Sequence, residues 1–160
     1  MSKKSQTVIN RDRNTVLFDL DGTLALIDKR RALAEKPNGK INFDIFYDPQ
    51  YIQLDEPNEP VIQLARMYQD WGYQNVIVSG RSVRTRGETI NWLAKYNVPY
   101  QRLIMRKQKN YTPDDHLKER WLDKYLDRND IHAVVDDRQR VVDMWRNHGL
   151  MVFQVGSGNF

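Results

Sequence analysis

The sequence predicts an α/β fold in which a parallel sheet of five strands lies between two layers of helices. Apolar runs alternate with helical patterns along the chain, and that order is typical of parallel strands joined by crossover helices. The runs at 15–18, 75–78 and 131–135 are rich in Val, Ile and Leu, as are strands that are covered on both faces. Each of these runs ends in polar residues, and ligands bind at that edge of open α/β sheets.

Four helical patterns separate the five predicted strands. Each has apolar residues at spacings of three and four. Three of them also have a residue suited to a helix end, namely Pro or Asp at the start or Gly at the stop, and the second is followed by Pro99. The predicted helices run from Pro60 to near Gly72, over 87–96 with Ile90, Leu93 and Ala94 as apolar positions, from Asp114 to Tyr125, and from about Val141 to Gly149, before a last strand at 151–155.

Residues 36–60 interrupt this alternation after the first strand. Proline and glycine recur there together with aromatic residues, which predicts an irregular or partly helical insertion over the strand ends. We expect this segment to form a small lid that determines specificity. Tyr47 and Tyr51 suit either a small core or stacking on a base, and burial in a core is the more common use of such residues.

Composition narrows the classes of function. The chain of 160 residues has no cysteine, which excludes disulfide and thiolate chemistry and fits a reducing cytoplasm. The start resembles no signal peptide and no apolar stretch is long enough to span a membrane, so a soluble protein is expected. A net charge of +4 favours anionic partners such as nucleic acid or phosphate esters. The phosphate-binding loop motif of kinases is absent.

The first predicted strand leads into Asp-Leu-Asp-Gly-Thr at 19–23. Residues two apart in an extended segment point the same way, so Asp19 and Asp21 should face one site, and Gly22 allows a sharp turn. Two close carboxylates repel each other unless a cation is bound or their pKa values differ. We interpret Asp19 as a nucleophile toward phosphorus and Asp21 as its acid/base partner, with Mg²⁺ between them. Taken alone, the pattern is more often a turn or a helix cap.

Two other strand ends and one helix start supply further candidates. Ser79 and Arg81 follow the second strand, Asp136 and Asp137 follow the fourth, and Lys118 lies in the first turns of a helix. Each has an ordinary structural explanation as a turn, a cap or an exposed charge. Together they divide the tasks of phosphoryl transfer, because two acidic strand ends can hold Mg²⁺ while Ser and Lys bind phosphate oxygens.

In this order the residues resemble the motifs of the haloacid dehalogenase (HAD) superfamily of Asp-based phosphatases. Asp19-Leu-Asp21-Gly-Thr23 is similar to the first motif, Ser79 to the second, Lys118 to the third and Asp136-Asp137 to the fourth. The stretches VLFDLDGTLA, VIVSGR and VVDDRQRVVDMWRNHGL resemble more closely the 3′-phosphatase domains of bacteriophage polynucleotide kinase-phosphatases, over about residues 15–160.

The resemblance implies a HAD-like Rossmannoid three-layer sandwich whose first strand lies between the second and fourth. It implies that Asp19 attacks phosphorus and that Asp21 protonates the leaving oxygen and then activates water. Mg²⁺ would be held by Asp19, the Asp21 carbonyl and the pair 136/137, and Ser79 and Lys118 would hold the phosphoryl group. Further site residues are Thr23, Arg30, Gly80, Arg81, Arg106 and Asp114, with Asp114 orienting Lys118 and the arginines binding substrate phosphate or strand.

We expect residues 1–160 to form one domain without a kinase domain, and hence without 5′-kinase activity, because about 14 residues precede the first strand. The predicted function is Mg²⁺-dependent removal of 3′-phosphates from DNA or RNA ends. One alternative is a phosphatase of nucleotides or other small phosphomonoesters; a less favoured one is a non-catalytic nucleic-acid-binding module. The motifs do not define the contacts with the 2′-hydroxyl that separate RNA from DNA, nor the oligomeric state.

Overall fold

A computed structural model of the protein describes residues 13–157. Short 3₁₀ helices lie at Pro49–Leu54, Val83–Thr85 and Arg128–Asp130. The strands and α-helices are, in chain order, β1 (Thr15–Phe18), β2 (Ala25–Leu26), α1 (Asp28–Ala34), α2 (Phe43–Phe46), β3 (Glu56–Pro57), α3 (Glu59–Asp70), β4 (Gln74–Ser82), α4 (Arg86–Lys95), β5 (Arg102–Arg106), α5 (Asp114–Tyr125), β6 (Ile131–Asp136), α6 (Gln139–Asn147) and β7 (Val152–Gln154).

Five strands form a parallel sheet in the order β5-β4-β1-β6-β7. This confirms the predicted parallel sheet. It also confirms that the first predicted strand, β1, lies between the second and fourth predicted strands, which are β4 and β6. Phe18 of β1 pairs with Val135 of β6, so the residues that follow, Asp19 and Asp136, leave the sheet side by side. A separate antiparallel pair, β2 with β3, closes the base of the insertion and was not predicted.

The sheet is buried on both faces, which gives the predicted three layers. Val16 and Phe18 of β1 point into a core formed with α3 and α4. Leu17, between them, points into a second core formed with α5 and α6. Because successive side chains of a strand point to opposite faces, one short apolar strand contributes to both cores.

The helices follow the predicted order, but the buried face of one helix was predicted wrongly. In α4, Trp92 and Leu93 are buried, whereas Ile90 and Ala94 are exposed, so two of the three predicted apolar positions are wrong. The helix turns its indole inward because Trp92 Nε1 donates a hydrogen bond to the carbonyl oxygen of Asp55 at 2.9 Å. Among residues 13–157, no helix is both long and apolar enough to cross a membrane.

The segment predicted as an insertion, 36–60, is partly helical as expected. It contains α2, the 3₁₀ helix Pro49–Leu54 and β3, and Phe46 and Ile52 are its buried apolar side chains. A basic cluster, Lys29, Arg30 and Arg31, precedes the insertion and lies in α1, a helix that the sequence analysis did not predict. One face of that helix is buried, because Arg30 and Ala34 are both inaccessible to solvent.

Candidate active site

A buried lysine joins two of the three strand-end aspartates. Lys118 Nζ donates hydrogen bonds to Asp19 Oδ1 at 2.6 Å and to Asp136 Oδ2 at 2.8 Å. Asp19 follows β1, Asp136 ends β6, and Lys118 comes from the first turns of α5. All three side chains are almost completely buried. The structure therefore brings together residues that are up to 117 positions apart in the sequence.

Three carboxylates of this cluster are close enough to share one cation. Asp19, Asp136 and Asp137 each offer an oxygen within 4.8 Å of the other two. Thr23 Oγ1 lies 3.3 Å from both Asp19 Oδ2 and Asp137 Oδ1. The other oxygen of Asp137 is buried and has no hydrogen-bond partner among the described residues. A buried oxygen without a donor and a set of hard oxygen ligands both fit a divalent cation such as Mg²⁺.

Burial controls the charge of these groups. Burial raises the pKa of Asp19, although the neighbouring Lys118 ammonium acts in the opposite direction. Burial also raises the pKa of Asp137 to about 6, and the Asp136 carboxylate adds to that rise. Burial acts to lower the pKa of Lys118, but Asp136 and Asp19 outweigh it and raise that pKa. One ammonium thus faces three carboxyl groups, and a bound divalent cation would balance the remaining negative charge.

Gly22 lets the chain pass close to Asp137. Its backbone has a φ of +88°, which L side chains rarely adopt, and a Cβ at this position would lie 2.0 Å from Asp137 Oδ2. Glycine is therefore required on two counts, conformation and space. The turn predicted from the Asp-Gly pair also creates room for one of the carboxylates in the cluster.

Asp21 belongs to a different network from Asp19. Its Oδ1 accepts hydrogen bonds from Arg30 at 2.7 Å and from two nitrogens of Arg81 at 2.8 and 2.5 Å. Both arginines also donate to the buried carboxylate of Asp55. Burial acts to raise the pKa of Asp21, yet Arg30 and Arg81 together lower it to about 2. The Asp21 side chain, 18% exposed, is thus held as an anion at the cavity wall.

The positions of Arg30 and Arg81 differ from the expectation that they contact substrate. Both guanidinium groups are fully buried, and most of their donors bind carboxylates within the protein, while Arg81 Nη1 donates to Thr89 Oγ1 at 3.2 Å. Arg30 also donates to the carbonyl oxygen of Phe46 and lies 4.3 Å over the centre of its ring. Unpaired buried guanidinium groups would be very costly, so both arginines stay bound to their carboxylate partners. In this structure the two arginines therefore orient Asp21.

Ser79 and Gly80 lie where β4 leaves its regular pairing with β5. Ser79 is fully buried, and its hydroxyl oxygen accepts the backbone N–H of Arg81 at 3.2 Å. The carbonyl oxygen of Gly80 accepts a hydrogen bond from Arg106 Nε at 2.8 Å. A Cβ on Gly80 would lie 2.8 Å from Asp114 Oδ1, so the glycine permits a close approach to the start of α5.

Asp114 binds arginines, contrary to the expectation that it orients Lys118. Its carboxylate accepts a short hydrogen bond from Arg106 and a second one from Arg138 at 2.7 Å. Its influence on Lys118 is electrostatic, as one of several carboxylates that raise the pKa of the lysine. Sequence reasoning missed Arg138, although it directly follows Asp137. It also missed Asp55, for which no motif or spacing gives a signal.

A cavity of about 660 Å³ opens over these groups. Asp19, Asp21 and Lys118 lie in its wall, together with Asp136 and Asp137. The remaining wall combines cations with aromatic rings, most of them from the insertion. The cations are Arg31, Arg84, Arg106, Lys107, Lys109, Arg138 and Arg140; the rings are Phe43, Phe46 and Tyr47 of the insertion, with Tyr111 from outside it.

Trp145 connects the cluster to the core. It is completely buried in α6, within the core shared with α5, and its indole N–H donates to Asp136 Oδ2 at 3.2 Å. Asp136 Oδ2 thus accepts hydrogen bonds from both Lys118 and Trp145. The sequence indicates that Trp145 is buried but not that it has a polar partner.

Comparison with known proteins places the chain among phosphatase domains. A protein of Autographa californica nuclear polyhedrosis virus named "Putative bifunctional polynucleotide kinase/RNA ligase" is 33% identical over 137 residues, which cover 82% of this chain and 18% of that protein. A chain in the structure of the Pnkp1/Rnl/Hen1 complex is 32% identical, with a TM-score of 0.78, covering 100% of this chain and 53% of that one. This chain therefore spans about half or less of these two relatives.

A haloacid dehalogenase-like hydrolase from Streptococcus pneumoniae has the same fold, with a TM-score of 0.67 at 12% identity over 91% of this chain and 85% of that one. The sheet order and the acidic strand ends define a HAD-type phosphatase domain. Residues 13–160 match the family described as "Polynucleotide kinase PNKP phosphatase domain". The chain belongs to that family.

Proposed function

We propose that the protein is an Mg²⁺-dependent polynucleotide 3′-phosphatase that repairs DNA or RNA ends through an aspartyl-phosphate intermediate. The observation that carries the proposal is the buried set Asp19, Lys118, Asp136 and Asp137 at the base of a cavity with a cationic wall. The names of the two partial relatives, which mention polynucleotide kinase, RNA ligase and Pnkp1, support a nucleic-acid end as the substrate.

In the first proposed step, a carboxylate oxygen of Asp19 forms a bond to phosphorus and the bond from phosphorus to the 3′ oxygen breaks. The departing oxygen takes a proton from Asp21. Lys118, which is hydrogen-bonded to Asp19, is placed to bind an oxygen of the transferring phosphoryl group. Asp21 must gain a proton before this step, because Arg30 and Arg81 favour its ionised form.

In the second proposed step, Asp21 takes a proton from water, the water oxygen bonds to phosphorus, and the bond between phosphorus and Asp19 breaks to release inorganic phosphate. The ionised form that the two arginines favour is the one this step requires. Asp21 therefore alternates between acid and base, and the arginine pair assists the base half of the cycle.

Asp19, Asp136 and Asp137 would hold the cation, and the unpaired buried oxygen of Asp137 is a ready ligand. Mg²⁺ bound there supplies neutralisation of the phosphoryl oxygens and of the carboxylates. Without it, nucleophilic attack by one buried carboxylate beside two others on an anionic substrate is opposed by charge repulsion.

The decisive experiment measures phosphate release from matched DNA and RNA oligonucleotides with a phosphate at either the 3′ or the 5′ end, in Mg²⁺ and in chelator. Release from 3′ ends alone, and only with metal, is the expected result. Asp19→Asn is expected to abolish release, because it removes the nucleophile. When the wild type is quenched with acid during turnover of a substrate labelled in its terminal phosphate, the label is expected to be trapped on the protein.

Three outcomes would contradict the proposal. Activity that survives Asp19→Asn would remove the aspartyl-phosphate mechanism. Turnover of a 3′-mononucleotide with a higher kcat/KM than the matched oligonucleotide would support the alternative substrate class of small phosphomonoesters. If the wild type binds the oligonucleotides but releases phosphate from none of them, the result would support the non-catalytic nucleic-acid-binding module.

A further inference from the structure

The insertion places a stack of aromatic rings in the wall of the active-site cavity. The rings of Phe43 and Tyr47 are nearly parallel, with an interplanar angle of 15° and centres 6.0 Å apart. Phe46 meets both rings edge-on, at 6.5 Å from Phe43 and 5.0 Å from Tyr47. Phe46 and Tyr47 thereby support Phe43, which is the most exposed of the three rings and forms the outer end of the stack.

The outer ring is open to solvent. Phe43 is 63% exposed although it lines the cavity that contains Asp19. A large aromatic side chain of a small protein is usually buried, since each one removes much apolar surface from water. An exposed ring on a supported stack can accept another planar ring in an offset parallel arrangement.

Cations in the same cavity wall favour a strand of nucleic acid as the occupant. Arg84, Lys107 and Lys109 line the cavity, are exposed, and make no side-chain hydrogen bond or ion pair with other residues in 13–157. Their charges are available to phosphodiester groups. A cationic groove combined with an exposed aromatic ring is the usual arrangement for an unpaired strand.

We propose that Phe43 is the stacking platform for the terminal nucleobase of an unpaired 3′ end, while the terminal phosphate lies at Asp19. This rests on the proposed function and adds that the base next to the phosphate is recognised by its flat face. A cavity of about 660 Å³ is large enough for one nucleotide. Stacking of this kind is indifferent to base identity, because every base has a flat face.

The test compares two 3′-phosphorylated single-stranded oligonucleotides that differ only in the terminal base, which is present in one and replaced by an abasic residue in the other. For the intact oligonucleotide, Phe43→Ala is expected to lower kcat/KM by about 5- to 100-fold. For the abasic oligonucleotide the same variant is expected to match the wild type. Phe43→Trp retains a flat ring and is expected to retain activity on the intact substrate.

Phe153→Ala is the matched control, because Phe153 is 46% exposed on β7 and does not line the cavity. It is expected to leave kcat/KM unchanged on both oligonucleotides. Thermal melting establishes that each variant is folded. An equal loss on intact and abasic substrates, or no loss on either, would overturn the stacking role while leaving the 3′-phosphatase intact.

Failure of the proposed function gives a different result. If the wild type releases phosphate from 2-glycerophosphate but from neither oligonucleotide, polynucleotide ends are not the substrate and the stacking proposal is overturned with the function. If the wild type acts on both oligonucleotides and only the intact one responds to Phe43→Ala, both proposals stand.

Discussion

Asp21 and Asp55 are bound by the same two guanidinium groups. Arg81 Nη2 lies 2.5 Å from Asp21 Oδ1 and 2.6 Å from Asp55 Oδ2, and Arg30 Nη2 lies 2.7 and 3.0 Å from the same two oxygens. Two positive and two negative charges thus balance in a nearly dry environment. Asp55, which belongs to the insertion, therefore determines where the arginines sit and how Asp21 is presented.

Asp55→Asn is expected to lower kcat by about 10- to 100-fold with a smaller change in KM, because the arginines lose a balancing charge and Asp21 shifts. Removing one member of a buried ion pair is also expected to cost about 3 kcal/mol of unfolding free energy. Steady-state kinetics and urea unfolding measure the two effects. Glu56→Gln is the control, since its pair with Lys29 is exposed and worth about 1 kcal/mol or less. Equal effects of the two variants would deny Asp55 this role.

Asp21 should contribute to stability in a manner that depends on pH. Arg30 and Arg81 lower its pKa from 3.8 to about 2, so the contribution is complete above the unfolded value and declines as pH falls toward the folded value. Without metal, Asp21→Asn is expected to be less stable than the wild type by about 2 kcal/mol near neutral pH. Urea unfolding in chelator should show this gap narrowing below about pH 4. A gap that stays constant as pH falls would disprove the pairing.

Lys118→Met removes the ammonium that joins Asp19 and Asp136. In chelator the variant is expected to lose about 3–5 kcal/mol of unfolding free energy, because the buried carboxylates lose their cationic partner. Added Mg²⁺ is expected to raise its Tm more than that of the wild type, since the metal then supplies the missing positive charge. Lys124→Met, in an exposed position of the same helix, provides the comparison. A Tm increase no larger than that of the wild type would contradict a cation site here.

Gly22→Ala and Gly39→Ala form a matched pair. Both glycines have a positive φ, +88° and +75°, but only Gly22 lies against another group, the Asp137 carboxylate. The backbone strain should therefore be similar, about 1 kcal/mol in each variant. Only Gly22→Ala is expected to displace Asp137 and reduce both activity and the Mg²⁺-dependent increase in Tm. Similar activity in the two variants would show that the contact with Asp137 is unimportant.

The residues that the sequence predicted best are those that follow parallel strands. Asp19, Asp136 and Asp137 meet because the carboxyl ends of neighbouring parallel strands share one edge, so strand order alone places them together. Lys118 joins them because it lies in the first turns of α5, the helix that follows a further strand. In these cases short-range sequence patterns determine long-range proximity.

The partners of buried charges could not be predicted in the same way. Arg30 and Arg81 were expected to contact substrate, yet they are neutralised by Asp55, which reaches them through the path of the insertion. A sequence shows which side chains are charged but not which opposite charge will lie within 3 Å. The rotation of α4 was missed for a related reason, because a hydrogen bond from Trp92 outweighed the apolar pattern.

Trp145 couples the stability of this domain to the chemistry of its candidate active site. Its ring fills the core beneath α6 while its N–H binds Asp136, so a smaller or apolar replacement alters packing and leaves the carboxylate with one donor fewer. An engineer who repacks that helix to obtain a sturdier enzyme would at the same time retune the electrostatic balance of its reaction centre. Libraries aimed at either property should therefore keep this position fixed or screen for both.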